Sequence, residues 1–208
     1  MAFKRFALLL VLINVIIFIF QTLYLNITDE FALVSAEFQS KPWTLVTYMF
    51  LHANVEHILF NMIALALFGS ILEYTIGSKR FLLLYFASGI VAGLFSLFFY
   101  QASIGASGAI FGVIGALGVL KPRMTVYIAY VPMPMALAVI VWAALNFAGL
   151  FVPDETAYAS HIGGLIFGLA YGGYLKKEFK EESKKRKIEK MGDKDINEWE
   201  NVYMKNQR

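Results

Sequence analysis

The chain has 208 residues, 59% of them hydrophobic and 16% charged, with a mean hydropathy of +0.62 and a net charge of +3. A soluble protein of this length carries nearer a quarter charged residues, so this composition excludes a soluble enzyme and points to a polytopic membrane protein. Cysteine is absent, which excludes disulfides, thiolate catalysis and Cys-type zinc sites.

Six apolar runs follow in chain order, at 6–25, 57–74, 81–100, 107–120, 134–151 and 161–175. A spanning helix needs roughly 20 apolar residues to cross about 30 Å of hydrocarbon, so the fourth and sixth runs are short. Lys4 and Arg5 precede the first run as they would in a signal peptide. The run is too long for a signal's apolar core and no small-residue cleavage site follows it, so it is expected to stay as a helix. The fold expected is all-α, a six-transmembrane-helix bundle with a short central fourth helix. With the N-terminus inside, 17 of the 18 Lys and Arg fall inside and only Lys41 outside, so both termini are expected to be cytoplasmic.

The connection 26–56 is long and carries Pro42, Trp43 and several bulky apolar residues, and it is expected to lie in the outer interface. Residues 177–208 hold ten Lys+Arg and eight Asp+Glu and form a charged cytoplasmic tail behind a 1–176 membrane core. The tail is expected to be a solvated helical flank laced with Glu–Lys pairs, loosely ordered after Gly192, rather than a binder of anionic lipid.

Polar groups inside spans are costly, so function is sought among them. All three histidines, His52, His57 and His161, fall at or near outer helix ends. Ser107 is 14 residues from Lys121 and His161 is 15 from Lys176, the two inner marks. At about 1.5 Å per residue both lie some 20 Å above the inner surface, roughly 10 Å beneath the outer one. Counting from Glu73 brings Asn61 and His57 to a similar level, and no carboxylate is expected there. A serine and a histidine meeting at one depth can form a nucleophile and its base. Small residues in Gly105-Ala106-Ser107-Gly108 would leave the serine N–H free to face an oxyanion. The plainer reading of Gly108, Gly112, Gly115 and Gly118, with Gly164 and Gly168, is close helix packing, and that packing is what would join Ser107 to His161.

His52-x4-His57-x3-Asn61, Gly105-x-Ser107-Gly108 and His161-x2-Gly164-x3-Gly168, in this order, resemble the marks of the rhomboid intramembrane serine proteases. The resemblance covers about residues 3–176. It implies Ser107 as nucleophile and His161 as base in a dyad without a carboxylate. It also implies His57, Asn61 and the Ser107 N–H as oxyanion donors, with His52 and Gly105 in support. Phe111 stands where many relatives have a tyrosine stacked on the base, and Thr44 follows Trp43 where many have arginine. Glu73 matches an acidic position at an inner helix end, expected to bond a neighbouring loop. The substrates implied are single-pass transmembrane proteins cut near the outer boundary, in a cell membrane, with the site open to the extracytoplasmic side. Membrane lipid is the surrounding partner; no cofactor, metal or nucleic acid is implied.

The rivals fare worse. A transporter lacks intramembrane charges along a path and an inverted repeat. A metalloprotease lacks the His-Glu-x-x-His arrangement. An inactive relative usually loses the serine or the histidine, and both are here. The fifth run has Pro132 and Pro134 at its inner start and few small residues, so it is expected to move with 151–160 as a gate.

Overall fold

The structure is a computed structural model that describes residues 5–24, 26–128 and 130–203. Lys4, used above for orientation, lies outside the described residues, as do Lys205 and Arg208 of the tail. The chain is mostly helical. α1 (Phe6–Leu23) turns Ala7, Leu10 and Asn14 inward, while Leu9, Leu12, Ile16 and Ile19 stay exposed. A narrow buried stripe beside a broad exposed apolar face suits a helix with lipid on its outer side.

The long connection folds into α2 (Asn26–Phe31), β1 (Leu33–Val34), α3 (Thr44–Thr47) and one 3-10 turn, Tyr48–Phe50. Asn54 then caps α4 (Val55–Ala64) by accepting the His57 N–H at 2.8 Å. The helix continues through a π segment, Leu65–Gly69, into α5 (Ser70–Ile76), a continuous apolar span of 22 residues. Gly77, at φ +84, makes the turn into α6 (Ser78–Phe99). β2 (Ala102–Ser103) pairs antiparallel with β1, Leu33 opposite Ser103, and so stitches the first connection to the segment just ahead of Ser107.

α7 (Ser107–Leu120) is 14 residues long and buried along nearly all its length. A hairpin of β3 (Thr125–Ile128) and β4 (Val131–Pro134) leads to α8 (Met135–Gly149), and α9 runs Tyr158–Tyr203. By length and composition α1, Val55–Ile76 and α6 can cross a membrane, and α7 and α8 are shorter apolar helices.

The helical fold expected from the sequence is present, with two short antiparallel ribbons added to it. The second forms because Thr125-Val126-Tyr127-Ile128 is β-branched and aromatic, while Pro132 and Pro134 cannot donate helical hydrogen bonds. α9 continues past Gly192 to Tyr203. Lys- and Glu-rich stretches favour helix, and Glu182 pairs with Arg186 one turn on at 3.6 Å. By its contacts the chain divides into one compact unit ending at Gly172 and another from Gly173.

Glu73 is buried at 1% exposure. Its carboxylate accepts the Phe6 and Ala7 N–H groups, at 3.0 and 2.9 Å, and the Ser78 hydroxyl at 2.6 Å. The first-turn N–H groups of α1 have no partner within their own helix, and a carboxylate there also complements the helix dipole. Glu73 therefore fastens α1 to the α5–α6 turn.

Candidate active site

Ser107 is the first residue of α7. The chain reaches it through Gly105, whose φ of +124 only glycine adopts without strain and whose N–H donates to the Tyr48 carbonyl at 2.8 Å. A Cβ on Gly105 would lie 2.8 Å from both Cε1 and Nε2 of His57. The glycine thus lets the backbone ahead of the serine run against the histidine ring.

His161 lies in the first turn of α9. Its Nε2 is 2.7 Å from Ser107 Oγ, and its Nδ1 is 2.8 Å from Asn146 Oδ1. Phe111, one turn along α7 from the serine, stacks on the imidazole at 4.6 Å with the planes 20° apart. The approach of the two helices depends on small residues: a Cβ on Gly164 would fall on the Gly108 carbonyl, and one on Gly168 on the Gly112 carbonyl. Ser160 adds a bond from its hydroxyl to the Ala92 carbonyl, 3.0 Å, holding α9 to α6.

His57 and Asn61 share one face of α4. The Ala53 N–H donates to His57 Nδ1 at 3.4 Å. With Nδ1 accepting, the ring proton is on Nε2, the nitrogen that faces Gly105. Asn61 is buried at 7% exposure, and its Nδ2 has no hydrogen-bond partner among the described residues. Ser107, His161, His57, Asn61 and Tyr100 all line one cavity of about 580 Å³. His52 precedes α4 and is fully buried, with its ring edge-on to His57 at 5.0 Å. Among the described residues no three His, Asp or Glu side chains gather as metal ligands do.

Three features escape the sequence reading. Glu56, in the first turn of α4, lines the cavity beside His57. Gln21 brackets His52, donating to its carbonyl at 2.9 Å and accepting its N–H at 3.0 Å. Asn146 reaches His161 from α8. Its signal was a lone amide within the apolar run 135–149. Ahead of α9, Asp154 accepts from the Tyr158 hydroxyl and the Thr156 N–H, and these bonds hold its carboxyl below the usual range.

Residues 39–178 match the family profile described as "Rhomboid domain", which is more than half of the chain. The chain belongs to the rhomboid family. It is 30% identical over 169 residues to "Rhomboid protein 1, mitochondrial" of Saccharomyces cerevisiae, covering 76% of this chain and 49% of that one. It is 38% identical over 136 residues to "Rhomboid protease GluP" of Bacillus subtilis, covering 62% of this chain and 25% of that one. To "Rhomboid protease GlpG" of Haemophilus influenzae it is 29% identical over 137 residues, 65% of this chain and 71% of that one. The chain therefore spans about half of the yeast protein's length and a quarter of GluP's. It is a membrane protein of a family that includes proteins named as proteases.

Proposed function

We propose that the chain is an intramembrane serine endopeptidase that cleaves single-pass transmembrane proteins. The observation that carries this reading is the 2.7 Å approach of His161 Nε2 to Ser107 Oγ at a cavity that also receives His57 and Asn61. His161 takes the Ser107 proton as Oγ attacks the scissile carbonyl, and a tetrahedral oxyanion forms. The Ser107 N–H at the start of α7, His57 Nε2–H and the unengaged Asn61 Nδ2 stabilise that oxygen. His161 then protonates the leaving amine, and water hydrolyses the acyl-enzyme by the same proton path in reverse. His52, packed edge-on against His57, and Gly105, which makes room for the His57 ring, support the donor; Phe111 holds the plane of the base.

The membrane arrangement completes the reading. Six spans with a short central fourth, α7, cross a cell membrane, residues 1–176 forming the protease core. Both termini, including the tail 177–208, are cytoplasmic, and the cavity opens to the extracytoplasmic side. The supports are the distribution of Lys and Arg and the family membership.

Reaction with a fluorophosphonate probe tests the reading. The folded wild-type chain is expected to be labelled and to cleave a transmembrane substrate, while Ser107→Ala and His161→Ala do neither and melt near the wild-type temperature. A folded wild-type chain that does not label, or cleavage by Ser107→Ala at the wild-type rate, overturns the protease reading.

A further inference from the structure

Asn146 is 6% exposed, inside an otherwise apolar helix, and its two amide atoms are engaged separately. Nδ2 donates to the Trp142 carbonyl at 2.8 Å, and Oδ1 lies 2.8 Å from His161 Nδ1. A backbone carbonyl only accepts, so the amide atom facing it must be the NH2 group, and the one facing His161 must be the oxygen. That oxygen also only accepts, so His161 Nδ1 carries a proton. The neutral imidazole then has its lone pair at Nε2, the nitrogen 2.7 Å from Ser107 Oγ. One fixed acceptor, the Trp142 carbonyl, orders the whole line: Asn146 donates to it, His161 donates to Asn146, and Ser107 donates to His161.

We propose that Asn146 is a positioning residue that selects the His161 tautomer able to take the Ser107 proton. The inference rests on the dyad reading above and extends it from two side chains to three on three helices. The opposite tautomer would present an N–H to Ser107 and could not act as base. Phe111 cannot make this choice, because ring stacking fixes the plane of the imidazole and is indifferent to which nitrogen is protonated. The neutral amide keeps its role through the reaction. When Nε2 gains the serine proton, Nδ1–H still donates to Oδ1, and no charged acceptor has to be buried in the membrane.

The test uses the full chain in detergent or lipid. Asn146→Leu keeps the approximate size and removes the acceptor, while Asn146→Asp keeps the acceptor and the shape. Among variants melting near the wild type, Asn146→Leu is expected to react with a fluorophosphonate about 10- to 100-fold more slowly. Its kcat should fall with it while KM changes little, and Asn146→Asp should recover most of the rate. A purely structural tie between α8 and α9 would instead lower the melting temperature and leave the rate per folded molecule unchanged.

A second readout needs no variant of Asn146. The chain has three histidines, so ¹⁵N spectra of a histidine-labelled sample, assigned with His161→Ala, report the His161 tautomer directly. Nδ1–H is expected in the wild type. A wild-type ring protonated at Nε2 overturns the inference, as does Asn146→Leu reacting at the wild-type rate or Asn146→Asp reacting no faster than Asn146→Leu. If the wild type itself does not react through Ser107, the dyad reading has failed. If it does and Asn146→Leu matches it, only the role of Asn146 has failed.

Discussion

Replacing Gly105 with alanine separates backbone strain from catalytic geometry at one position. The φ of +124 is one that a residue with a Cβ adopts only at a cost of about 1–3 kcal/mol. The new Cβ would also stand 2.8 Å from His57 Nε2, where ordinary contact begins at 3.4 Å, so the ring must withdraw by 3.4 − 2.8 = 0.6 Å. A hydrogen bond formed at about 2.9 Å would then stretch to about 3.5 Å, beyond the useful range. Gly105→Ala should therefore imitate loss of the His57 donor, with kcat about 10²–10³-fold lower. His57→Ala should cost a similar factor, and the double variant no more than either alone, because both delete one interaction. Stability should behave differently. The backbone penalty persists in the double variant, so its melting temperature stays below that of His57→Ala. Cleavage kinetics and melting curves on the four proteins of this cycle decide it. Multiplicative losses in kcat, or a wild-type rate for Gly105→Ala, would refute the placement of His57 against the oxyanion.

Asn61→Ala should lower kcat about 10²–10³-fold with near-normal melting and substrate affinity, measured by steady-state cleavage; full activity would remove Asn61 from the oxyanion hole. Glu73→Ala should do the converse: three buried or part-buried donors lose their acceptor, costing on the order of 1–3 kcal/mol, seen as a lower melting temperature. Cleavage per folded molecule should not change, and a selective loss of kcat would give Glu73 a catalytic part.

The sequence carries the outline of the site because each of its parts obeys a short-range rule. His57 and Asn61 are one helical turn apart, Ser107 opens a helix, and glycines recur where two helices must touch. Counting residues from charged marks puts these groups at one depth without any tertiary information. What it cannot carry are contacts set by the rotation of one helix about its axis. Asn146 is a single amide in an apolar run, and nothing local says whether it faces lipid, Trp142 or His161. Gln21 bonds His52 from 31 residues away, and Glu73 reaches the N–H groups of α1 across more than 60. The second ribbon was partly legible, since Thr125–Ile128 has strand composition and Pro132 and Pro134 disfavour helix. Short strands inside a helical chain yield to the pull of the apolar runs around them.

The proposed role of Asn146 would also narrow how a transmembrane substrate is admitted. The sequence expectation lets all of α8 swing aside with the connection that follows it. In the structure Met135, Ala138 and Val139 are buried, and Trp142 meets Phe68 edge to face at 5.9 Å. A shift of about 1 Å at Asn146 would stretch its 2.8 Å bond to His161 past the hydrogen-bond range and release the tautomer of the base. Opening by the whole helix would thus disarm the dyad as the substrate arrives. Residues 151–156 are exposed; Asp154 accepts from the Thr156 N–H within that segment and from the Tyr158 hydroxyl at the start of α9. Among the described residues no hydrogen bond joins the segment to Asn146, so it can move about the Tyr158 tie while Asn146 stays in place. The chain has no cysteine, which allows a clean test. A bifunctional link between Phe68→Cys and Trp142→Cys, long enough to span the space their rings vacate, should leave cleavage of a transmembrane substrate near the wild-type rate. A bifunctional link between Glu56→Cys and Thr156→Cys, both on the cavity wall, should block it. If the link between the second span and α8 stops cleavage while fluorophosphonate labelling continues, α8 itself is the gate, and Asn146 must leave and rejoin His161 in every turnover.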